Sequence, residues 1–459
     1  MAMNGELKHN KMGTMPVPKL LLNMGLPMIL SMVGQALYNM VDAFFVSRIA
    51  DTAQVAEMGD KAINALTLAY PIQMLMIAVV TGIGIGTNSL LAQSLGKKDR
   101  ERASWIAGNA MLFCLCFFAV IFLFGLFGAQ TFICSQTKDP VVIELGTTYL
   151  RIVAVFSLGA IGYMCLEKVV MGCGNTRATM IGQLSGVITN IVLDPIMIFG
   201  FSMGVAGAAW ATVIGQFVSL FVIAYVNFVR NKELDSGLKY LRPRKDALKS
   251  IFTIGLPAIV MQILTPVMSY GLNLILGTIS AYAVTAYGVY YKLQYFMFMA
   301  IFGLNNASIP VASYNLGAKN KERIRQSIQF AVIYAVAIMA VGVVVLQLFA
   351  RPIVGIFSVA EESASLGVWA LHVITWAFVF SGASIILQGV CQALGNGVYA
   401  LIVALLRQLV IVLPLAYVFS RTALAAALVW WSIPIAEVVG CAVAVILTRK
   451  LYKERVAVL

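Results

Sequence analysis

Residues 95–102 read LGKKDRER, and residues 316–323 read LGAKNKER. The same offset of 221 residues superposes Gly174 on Gly395. Further pairs at this offset are Tyr70 and Tyr291, Gln73 and Gln294, Gly82 and Gly303, and Asn175 and Asn396. Self-similarity at one fixed period is the sequence signature of a repeated structural unit. The chain is therefore predicted to contain two copies of one unit.

The composition indicates that these copies lie in a membrane. Of the 459 residues, 61% are hydrophobic and 11% are charged, whereas soluble domains carry about 25% charged residues. The mean hydropathy is +0.90. A net charge of +13 would suggest a nucleic-acid partner if the basic side chains formed one patch. They lie instead between hydrophobic segments, so the expected surroundings are a lipid bilayer and no nucleic acid is expected.

Apolar runs long enough to cross a bilayer, which takes about 20 helical residues, occur twelve times. They begin near Leu20, Ile63, Ser104, Leu145, Ala178, Val205, Ser250, Ala283, Ser327, Leu366, Val398 and Ala423. The predicted fold class is an all-α membrane protein with twelve transmembrane helices in two pseudo-symmetric six-helix lobes. Because six is an even number, both copies insert in the same orientation, and such parallel repeats usually bracket a central cavity.

The connections between the runs predict the domain organisation and the orientation. We expect a tail at 1–19, an N-terminal lobe at 20–229, a basic linker at 230–249, a C-terminal lobe at 250–448 and a tail at 449–459. Of the 32 Lys and Arg residues, 23 fall in the tails, the linker and the even-numbered loops, and 5 fall in the odd-numbered loops. This bias predicts that both termini are cytoplasmic.

A carboxylate interrupts the fifth apolar run, which reads TNIVLDPIMIFGF at residues 189–201. An acid at bilayer depth costs about 2.5 to 3.5 kcal/mol on insertion scales. Asp194 lies four residues after Asn190 and eleven after Gln183, so the three side chains share one helix face. Pro195 loosens the backbone directly after the acid. This face is a polar stripe within the membrane.

Helix one carries a similar stripe. Gln35, Asn39 and Asp42 recur at helical spacing, with Tyr38 beside them. At about 1.5 Å of rise per residue, the two acids of helices one and five both fall in the outer half of the membrane. They could share one site that binds a proton, or a sodium ion with Asn190 and a hydroxyl. The alternative is that each acid only accepts hydrogen bonds from neighbouring helices.

Further charged side chains fall within the predicted spans. Arg407 and Glu437 lie at similar depth and are interpreted as a structural ion pair of the C-terminal lobe. Glu167 lies near the cytoplasmic end of helix four, where a structural role is favoured on position alone. Lys292 of helix eight could be a counter-charge in the cavity. Otherwise the sequence defines no role for it.

Several motifs resemble the bacterial type of the multidrug and toxic compound extrusion (MATE) family. They are VDxxFVS at residues 41–47, GxGNTR at residues 172–177 and NIVLDP at residues 190–195, together with the repeated LG turns. The resemblance extends from Leu20 to Leu447. No single motif is diagnostic, but their order and spacing within twelve helices are specific.

The resemblance implies a cation-coupled antiporter that exports organic cations and amphipathic drugs by alternating access, in the plasma (inner) membrane of a prokaryote. It implies that the coupling ion binds Asp42, Asn190 and Asp194, with the proton preferred and sodium as the other candidate, and that Pro27 is a hinge. The residues expected to contact substrate or line the cavity are Gln35, Tyr38, Asn39, Glu167, Gln183 and Lys292. We expect a monomer without a cofactor other than the transported H+ or Na+.

One part of the family pattern is missing. Members with a sodium site in the C-terminal lobe carry a Glu in helix seven and an Asp in helix ten, and these fall on Thr265 and about Ala383. Coupling is therefore expected in the N-terminal lobe.

Two other classes of function were weighed. A lipid-linked oligosaccharide flippase of a related two-lobe plan would need several basic residues in the cavity of the N-terminal lobe, where only Arg151 and Lys168 are available. A scaffold or receptor would not require two co-located acids. An enzyme is not expected, because the sequence has no HExxH, GxSxG or paired metal motif.

Overall fold

The computed structural model of the protein describes residues 10–49, 57–235 and 237–459, apart from the side chain of Asn39. Within these ranges every regular element is a helix and no strand occurs. Eleven helices are long and apolar enough to cross a membrane, and a bent pair of helices makes a twelfth span. The predicted fold class is therefore confirmed.

The spans are labelled α1 to α12. The first six are α1 (Val17–Val46), α2 (Met58–Gly96), α3 (Arg100–Phe127), α4 (Pro140–Val155 and Leu158–Gly172, bent by 46°), α5 (Thr176–Gly200) and α6 (Gly204–Arg230). The second six are α7 (Lys245–Gly277), α8 (Ala281–Gly317), α9 (Lys321–Leu348), α10 (Glu361–Ala393), α11 (Gly397–Ser420) and α12 (Ala425–Arg455). Short helices occur at Lys11–Thr14, Ala129–Cys134, Leu238–Leu241 and Ala350–Gly355.

The repeated basic turns have the same local structure. Lys98 and Lys319 have φ angles of 60° and 54°, which end α2 and α8. Asp99 then accepts a hydrogen bond from the Arg102 N–H at 2.9 Å, and Asn320 accepts one from the Arg323 N–H at 3.1 Å. A short polar side chain at this position satisfies one of the free N–H groups of the next helix. The sequence repeat thus encodes one helix stop and one helix start in each copy.

The second pair of repeated turns depends on glycine. Gly174 and Gly395 have φ angles of 86° and 83°, a region that side chains with a Cβ rarely adopt. Asn175 and Asn396 follow and cap α5 and α11 through their side-chain oxygens. The two copies therefore share both of their distinctive turns.

The chain divides into two compact units. One comprises Met1–Ile29, Ala92–Lys98 and Thr253–Leu459, and the other comprises Leu30–Leu91 and Asp99–Phe252. The divisions fall within α1, near the end of α2 and near the start of α7. Below, the first is called the C-terminal unit and the second the N-terminal unit.

In the C-terminal unit, the start of the described chain is held by side chains of α8 and α9. The Arg323 guanidinium donates hydrogen bonds to the carbonyl oxygens of Met12 and Met15 at 2.9 and 2.8 Å. The Asn315 amide also donates to the Met12 carbonyl, at 3.3 Å. Met12 itself is fully buried. The helix Lys11–Thr14 is therefore an integral part of this unit.

The ends of α2 and α8 cross in the same unit with their backbones in contact. A Cβ on Gly96 would overlap the Tyr314 carbonyl oxygen, and a Cβ on Gly317 would overlap the Gln93 carbonyl oxygen. Small residues are what permit such close helix crossings in membranes. The glycine of each repeated LG turn thus has a packing role.

In the N-terminal unit, the linker packs against the start of α3. The buried Asn109 side chain donates to the Arg242 carbonyl at 3.3 Å and accepts from the Arg244 N–H at 2.8 Å. The rings of Trp105 and Tyr240 lie edge to face with centroids 5.1 Å apart. The described part of the linker is therefore an ordered segment.

Candidate functional site

A buried carboxyl group and a buried amide lie one helical turn apart on α5. Asp194 is fully buried and Asn190 is 2% exposed. The Asn190 Nδ2 donates hydrogen bonds to Asp194 Oδ1 and to Oγ1 of Thr212 on α6, both at 3.4 Å. A buried polar group needs such partners to offset the loss of water. These three residues form the centre of a polar site in the N-terminal unit.

Two glycines allow α5 and α6 to approach closely at this site. A Cβ on Gly215 of α6 would lie 2.7 Å from the Gly186 carbonyl oxygen of α5 and 3.2 Å from the Asn190 Cβ. A Cβ on Gly186 would overlap Oγ of Ser219. Because neither position carries a side chain, the Asn190 amide reaches the Thr212 hydroxyl across the helix contact.

The backbone changes directly after Asp194. Pro195 ends the α-helical part of α5, and the π-helical turn Ile196–Gly200 follows. Proline lacks the N–H that would continue the hydrogen-bond ladder, and π-helical turns are frequent at functional sites. Asp194 is thus the last side chain that the regular helix positions before the interruption.

Helix α1 contributes the second acid. Asp42 is half-buried, and its carboxyl oxygen Oδ1 is buried. Four residues earlier, the Tyr38 hydroxyl lies 3.4 Å from the Thr212 hydroxyl. The structure therefore brings the predicted residues Asp42, Asn190 and Asp194 to one region of the N-terminal unit. Tyr38 reaches this region through its contact with Thr212.

Three oxygen atoms of this site have no hydrogen-bond donor within the described part of the chain. Asp42 Oδ1, Asp194 Oδ2 and Asn190 Oδ1 are buried and have no hydrogen-bond partner among the described residues. Buried polar atoms in native proteins are almost always partnered, so exceptions need an explanation. A proton would convert a carboxylate oxygen into a donor, and a hard cation takes oxygen ligands of this kind. The site is chemically suited to bind either, with the Thr212 hydroxyl as a further oxygen.

Sequence reasoning missed three residues of this region. Thr212 joins α1 to α5 through its hydroxyl, as described. Tyr149 of α4 is 4% exposed, interacts electrostatically with Asp42 and accepts a hydrogen bond from the Gln73 amide at 3.1 Å. Gln73 matches Gln294 in the sequence repeat, and this match alone does not indicate a site. A single Thr or Tyr in an apolar helix gives no periodic signal, so these positions required coordinates.

A second polar group lies on α1, α4 and α5. The Tyr163 hydroxyl donates to the Gln183 side-chain oxygen at 2.8 Å, and the Gln183 amide donates to the side-chain oxygen of Gln35. The predicted cavity residues Gln35 and Gln183 are therefore in direct contact. Together with Tyr163, these glutamines join α1, α4 and α5 in a second hydrogen-bonded group.

Glu167 and Lys168 are paired with each other. They are 8% and 3% exposed, and the ammonium lies 3.7 Å from a carboxylate oxygen. The stem of Lys168 occupies the space that the absence of a side chain leaves at Gly84 of α2. Glu167 also interacts electrostatically with Tyr163, which connects it to the hydrogen-bonded glutamines.

Two predicted residues do not join these groups within the described structure. Lys292 of α8 belongs to the C-terminal unit, where its ammonium lies 5.7 Å from the centre of the Phe357 ring. The Asn39 side chain lies outside the described part of the structure. The structure therefore gives neither residue a contact with the acids.

The predicted ion pair of the C-terminal unit is confirmed. The Arg407 guanidinium binds both carboxylate oxygens of Glu437, at 2.7 and 2.8 Å. Next to it, the Thr265 hydroxyl donates to the side-chain oxygen of Gln408 at 3.3 Å. At Thr265 this chain thus has a neutral hydroxyl engaged with an amide.

Repeated six-helix halves with an intramembrane carboxylate site define a polytopic α-helical membrane protein. The family model MatE matches residues 27–196 and 257–418, one segment in each repeat. The chain belongs to the MatE family. The family that the sequence motifs indicated is thereby confirmed.

Similar proteins cover nearly the whole chain. The chain is 28% identical over 440 residues to the multidrug export protein MepA of Staphylococcus saprophyticus subsp. saprophyticus, covering 95% of this chain and 94% of that protein. It is 27% identical over 445 residues to MepA of Staphylococcus aureus (strain MSSA476), covering 96% of each. A solved outward-facing structure of a multidrug resistance MATE family transporter of the MOP superfamily matches with a TM-score of 0.89 and 26% identity, covering 97% of this chain and 99% of that chain.

Proposed function

We propose that the protein is a multidrug efflux transporter that exchanges a coupling cation for organic cations and amphipathic drugs by alternating access. Two findings support this: the MepA relatives are multidrug export proteins, and Asp42, Asn190 and Asp194 form one buried site. The observation that carries the coupling proposal is the set of three buried oxygens at this site that have no hydrogen-bond donor among the described residues.

Coupling follows from the charge of the site. Two carboxylates in a medium of low dielectric repel each other and lose the stabilisation of water, so binding a proton or a sodium ion relieves both costs. Asn190 connects the acid of α5 to Thr212, which Tyr38 of α1 also contacts. Cation binding therefore changes the interactions that join α1, α5 and α6. Pro27 is the proposed hinge at which α1 adjusts.

The driving force is sufficient for accumulation against a gradient. One pH unit across the membrane supplies about 1.4 kcal/mol per proton, which corresponds to about tenfold drug accumulation at one-to-one coupling. The proton is the preferred coupling ion, and sodium is the alternative that the same oxygens would accept. Glu167 and the linked residues Gln35 and Gln183 are proposed to contact the substrate.

The flippase alternative has less support. Its pyrophosphate-bearing substrate would need free basic side chains in the N-terminal unit. Lys168 is already paired with Glu167, and Arg151 is exposed. The relatives named above are drug exporters, not lipid flippases.

Transport by purified protein in proteoliposomes tests the proposal. Uptake of a fluorescent organic cation is measured under a proton gradient and, separately, under a sodium gradient. The parent should respond to one or both gradients, whereas Asp42→Asn and Asp194→Asn should lose most of that response. Glu144→Gln is the matched control, because this exposed acid belongs to α4 of the same unit and lies outside the site. Uptake that ignores both gradients would refute coupled antiport, and unchanged coupling in both Asp variants would refute the site.

A further inference from the structure

A groove lies between the start of α5 and the end of α6 in the N-terminal unit. Its volume is about 560 Å³. It is lined by Asn175, Arg177, Ala178, Ile181, Phe221, Val222, Tyr225, Val226 and Arg230. None of these residues belongs to the buried acid site or to the glutamine contact, so the proposed transport cycle does not account for the groove.

One end of the groove is basic. Arg177 and Arg230 are both exposed, and the lining contains no acidic residue. Within the described residues no ion pair involves either arginine. The Arg230 guanidinium lies 5.3 Å from the centre of the Tyr225 ring, which fixes it at the mouth while its N–H groups remain available. This end adjoins the basic linker, so it lies at the level of the basic loops.

The walls of the groove are apolar. Phe221 is 66% exposed, and Ile181 and Tyr225 are also exposed. Side chains of this kind on the outside of membrane-spanning helices face acyl chains. The groove therefore continues from two guanidinium groups at one membrane interface into a hydrophobic channel along α5 and α6.

We propose that this groove binds an anionic phospholipid of the leaflet that faces the basic loops. The phosphodiester accepts hydrogen bonds from Arg177 and Arg230, since guanidinium groups match phosphate oxygens in charge and geometry. One acyl chain lies along Ile181 and Phe221. A free phosphate would use only the arginines and would leave the apolar walls unused. A zwitterionic lipid carries an ammonium group that the two arginines repel.

Lipid binding to the full-length protein, purified in detergent, tests this proposal. Native mass spectrometry counts retained molecules of phosphatidylglycerol, and of phosphatidylcholine with the same acyl chains, at increasing lipid concentration. The parent should retain phosphatidylglycerol at a lower concentration than phosphatidylcholine. The double variant Arg177→Gln/Arg230→Gln should need about tenfold more phosphatidylglycerol for the same occupancy. Arg325→Gln is the control, because this exposed arginine lies outside the groove.

A wall variant separates lipid from free anion. Phe221→Ala should weaken phosphatidylglycerol retention while both arginines remain in place. Inorganic phosphate, added at the same concentrations, should not displace the lipid. Displacement by phosphate, no effect of the double variant, or equal retention of both lipids would each overturn the proposal. Each variant should unfold at the same temperature as the parent, which confirms that the fold is intact. The variant Arg177→Lys/Arg230→Lys keeps both positive charges and should therefore partly retain phosphatidylglycerol.

Discussion

At the scale of single residues, the feature that matters most is incomplete hydrogen bonding around Asp194. Its side chain is fully buried, and one of its two carboxyl oxygens lacks a partner among the described residues. A group that served only to join helices would be expected to have both oxygens satisfied. The Thr212 hydroxyl supports this site indirectly, because it contacts both Asn190, the hydrogen-bond partner of Asp194, and Tyr38.

Removing this hydroxyl should uncouple transport without unfolding the protein. Thr212→Val keeps the shape of the side chain but leaves the Asn190 amide with one acceptor fewer, a cost of about 1 to 3 kcal/mol. We expect gradient-driven uptake of an organic cation to fall by about tenfold or more, since 1.4 kcal/mol corresponds to a factor of ten. Thr212→Ser retains the hydroxyl and should keep most of the activity. Equal uptake by the Val variant and the parent would show that the hydroxyl has no part in coupling.

The carboxyl group of Asp139, which directly precedes α4, is expected to stabilise the fold through its charge. Its carboxylate lies 3.1 Å from the Lys61 ammonium and accepts a hydrogen bond from the Val141 N–H at 2.9 Å. The hydrogen bond from Lys61 lowers the pKa of this carboxyl below its ordinary value. A carboxyl whose pKa is lowered by folding stabilises the fold above its unfolded pKa, and that contribution disappears as the pH falls through the lowered value.

Asp139→Asn tests this, because asparagine still caps the helix but has no charge. At pH 7 the variant should have a lower Tm than the parent, and the difference should shrink as the pH falls below the ordinary carboxyl range. Glu144→Gln, an exposed neighbour in α4, should show no such dependence. A Tm difference that stays constant with pH would indicate that the charge contributes nothing.

The acids of the site could be predicted from the sequence, and their hydroxyl partners could not. Asp42 and Asp194 stand out because a charge is costly in an apolar run, and Asn190 stands out through its helical spacing from Asp194. Thr212 and Tyr149 carry no comparable cost in a transmembrane helix. Thr212 and Tyr149 matter only because of which helices pack together in the folded protein. Gly186 and Gly215 allow the close contact of α5 and α6, but glycines in transmembrane helices can have many other packing roles.

At the scale of helices, corresponding positions of the two repeats hold different polar groups. In the N-terminal unit, Gly186 of α5 packs against Ser219 of α6. The same offset of 221 residues gives Arg407 of α11 and Gly440 of α12. There the Arg407 side chain fills the space at Gly440 and pairs with Glu437. One repeat thus retains a close helix crossing beside an acid site, and the other has a closed ion pair.

This ion pair should behave as a unit. Its side chains are 5% and 9% exposed, and removing one partner of a buried pair costs about 3 to 5 kcal/mol because the other charge is left unpaired. Glu437→Gln should therefore lower the thermal stability strongly, and Arg407→Met/Glu437→Met should recover much of the loss. The measurement is the Tm of each purified variant, with Glu361→Gln, an exposed acid of the same unit, as control. A double variant less stable than either single variant would indicate that the charges stabilise the fold beyond satisfying each other.

At the scale of the whole molecule, the repeat is visible in both sequence and structure. Its two turn types recur with nearly the same φ angles and the same side-chain caps, so local sequence was sufficient to predict twelve spans and their order. The 46° bend of α4 was not predicted. It falls between Val155 and Leu158, at Phe156 and Ser157 and close to Gly159, and serine and glycine are common where helices kink.

The distribution of basic residues makes a prediction about orientation. Because 23 of the 32 Lys and Arg residues fall in the tails, the linker and the even-numbered loops, both termini should face the cytoplasm. Fusions of a reporter that is active only outside the cytoplasm should be inactive after Leu459 and after Arg230, and active after Phe201. Activity of the Leu459 fusion would reverse the orientation assigned here and would move the proposed lipid groove to the other leaflet.

The anchoring of the first described residues limits how the chain can be shortened. The Arg323 guanidinium donates to the carbonyl groups of Met12 and Met15, so deletion through Met15 would leave this half-buried cation without two of its acceptors. Truncated variants of this protein should therefore retain Met12 and Met15, because both carbonyl groups accept hydrogen bonds from the Arg323 guanidinium.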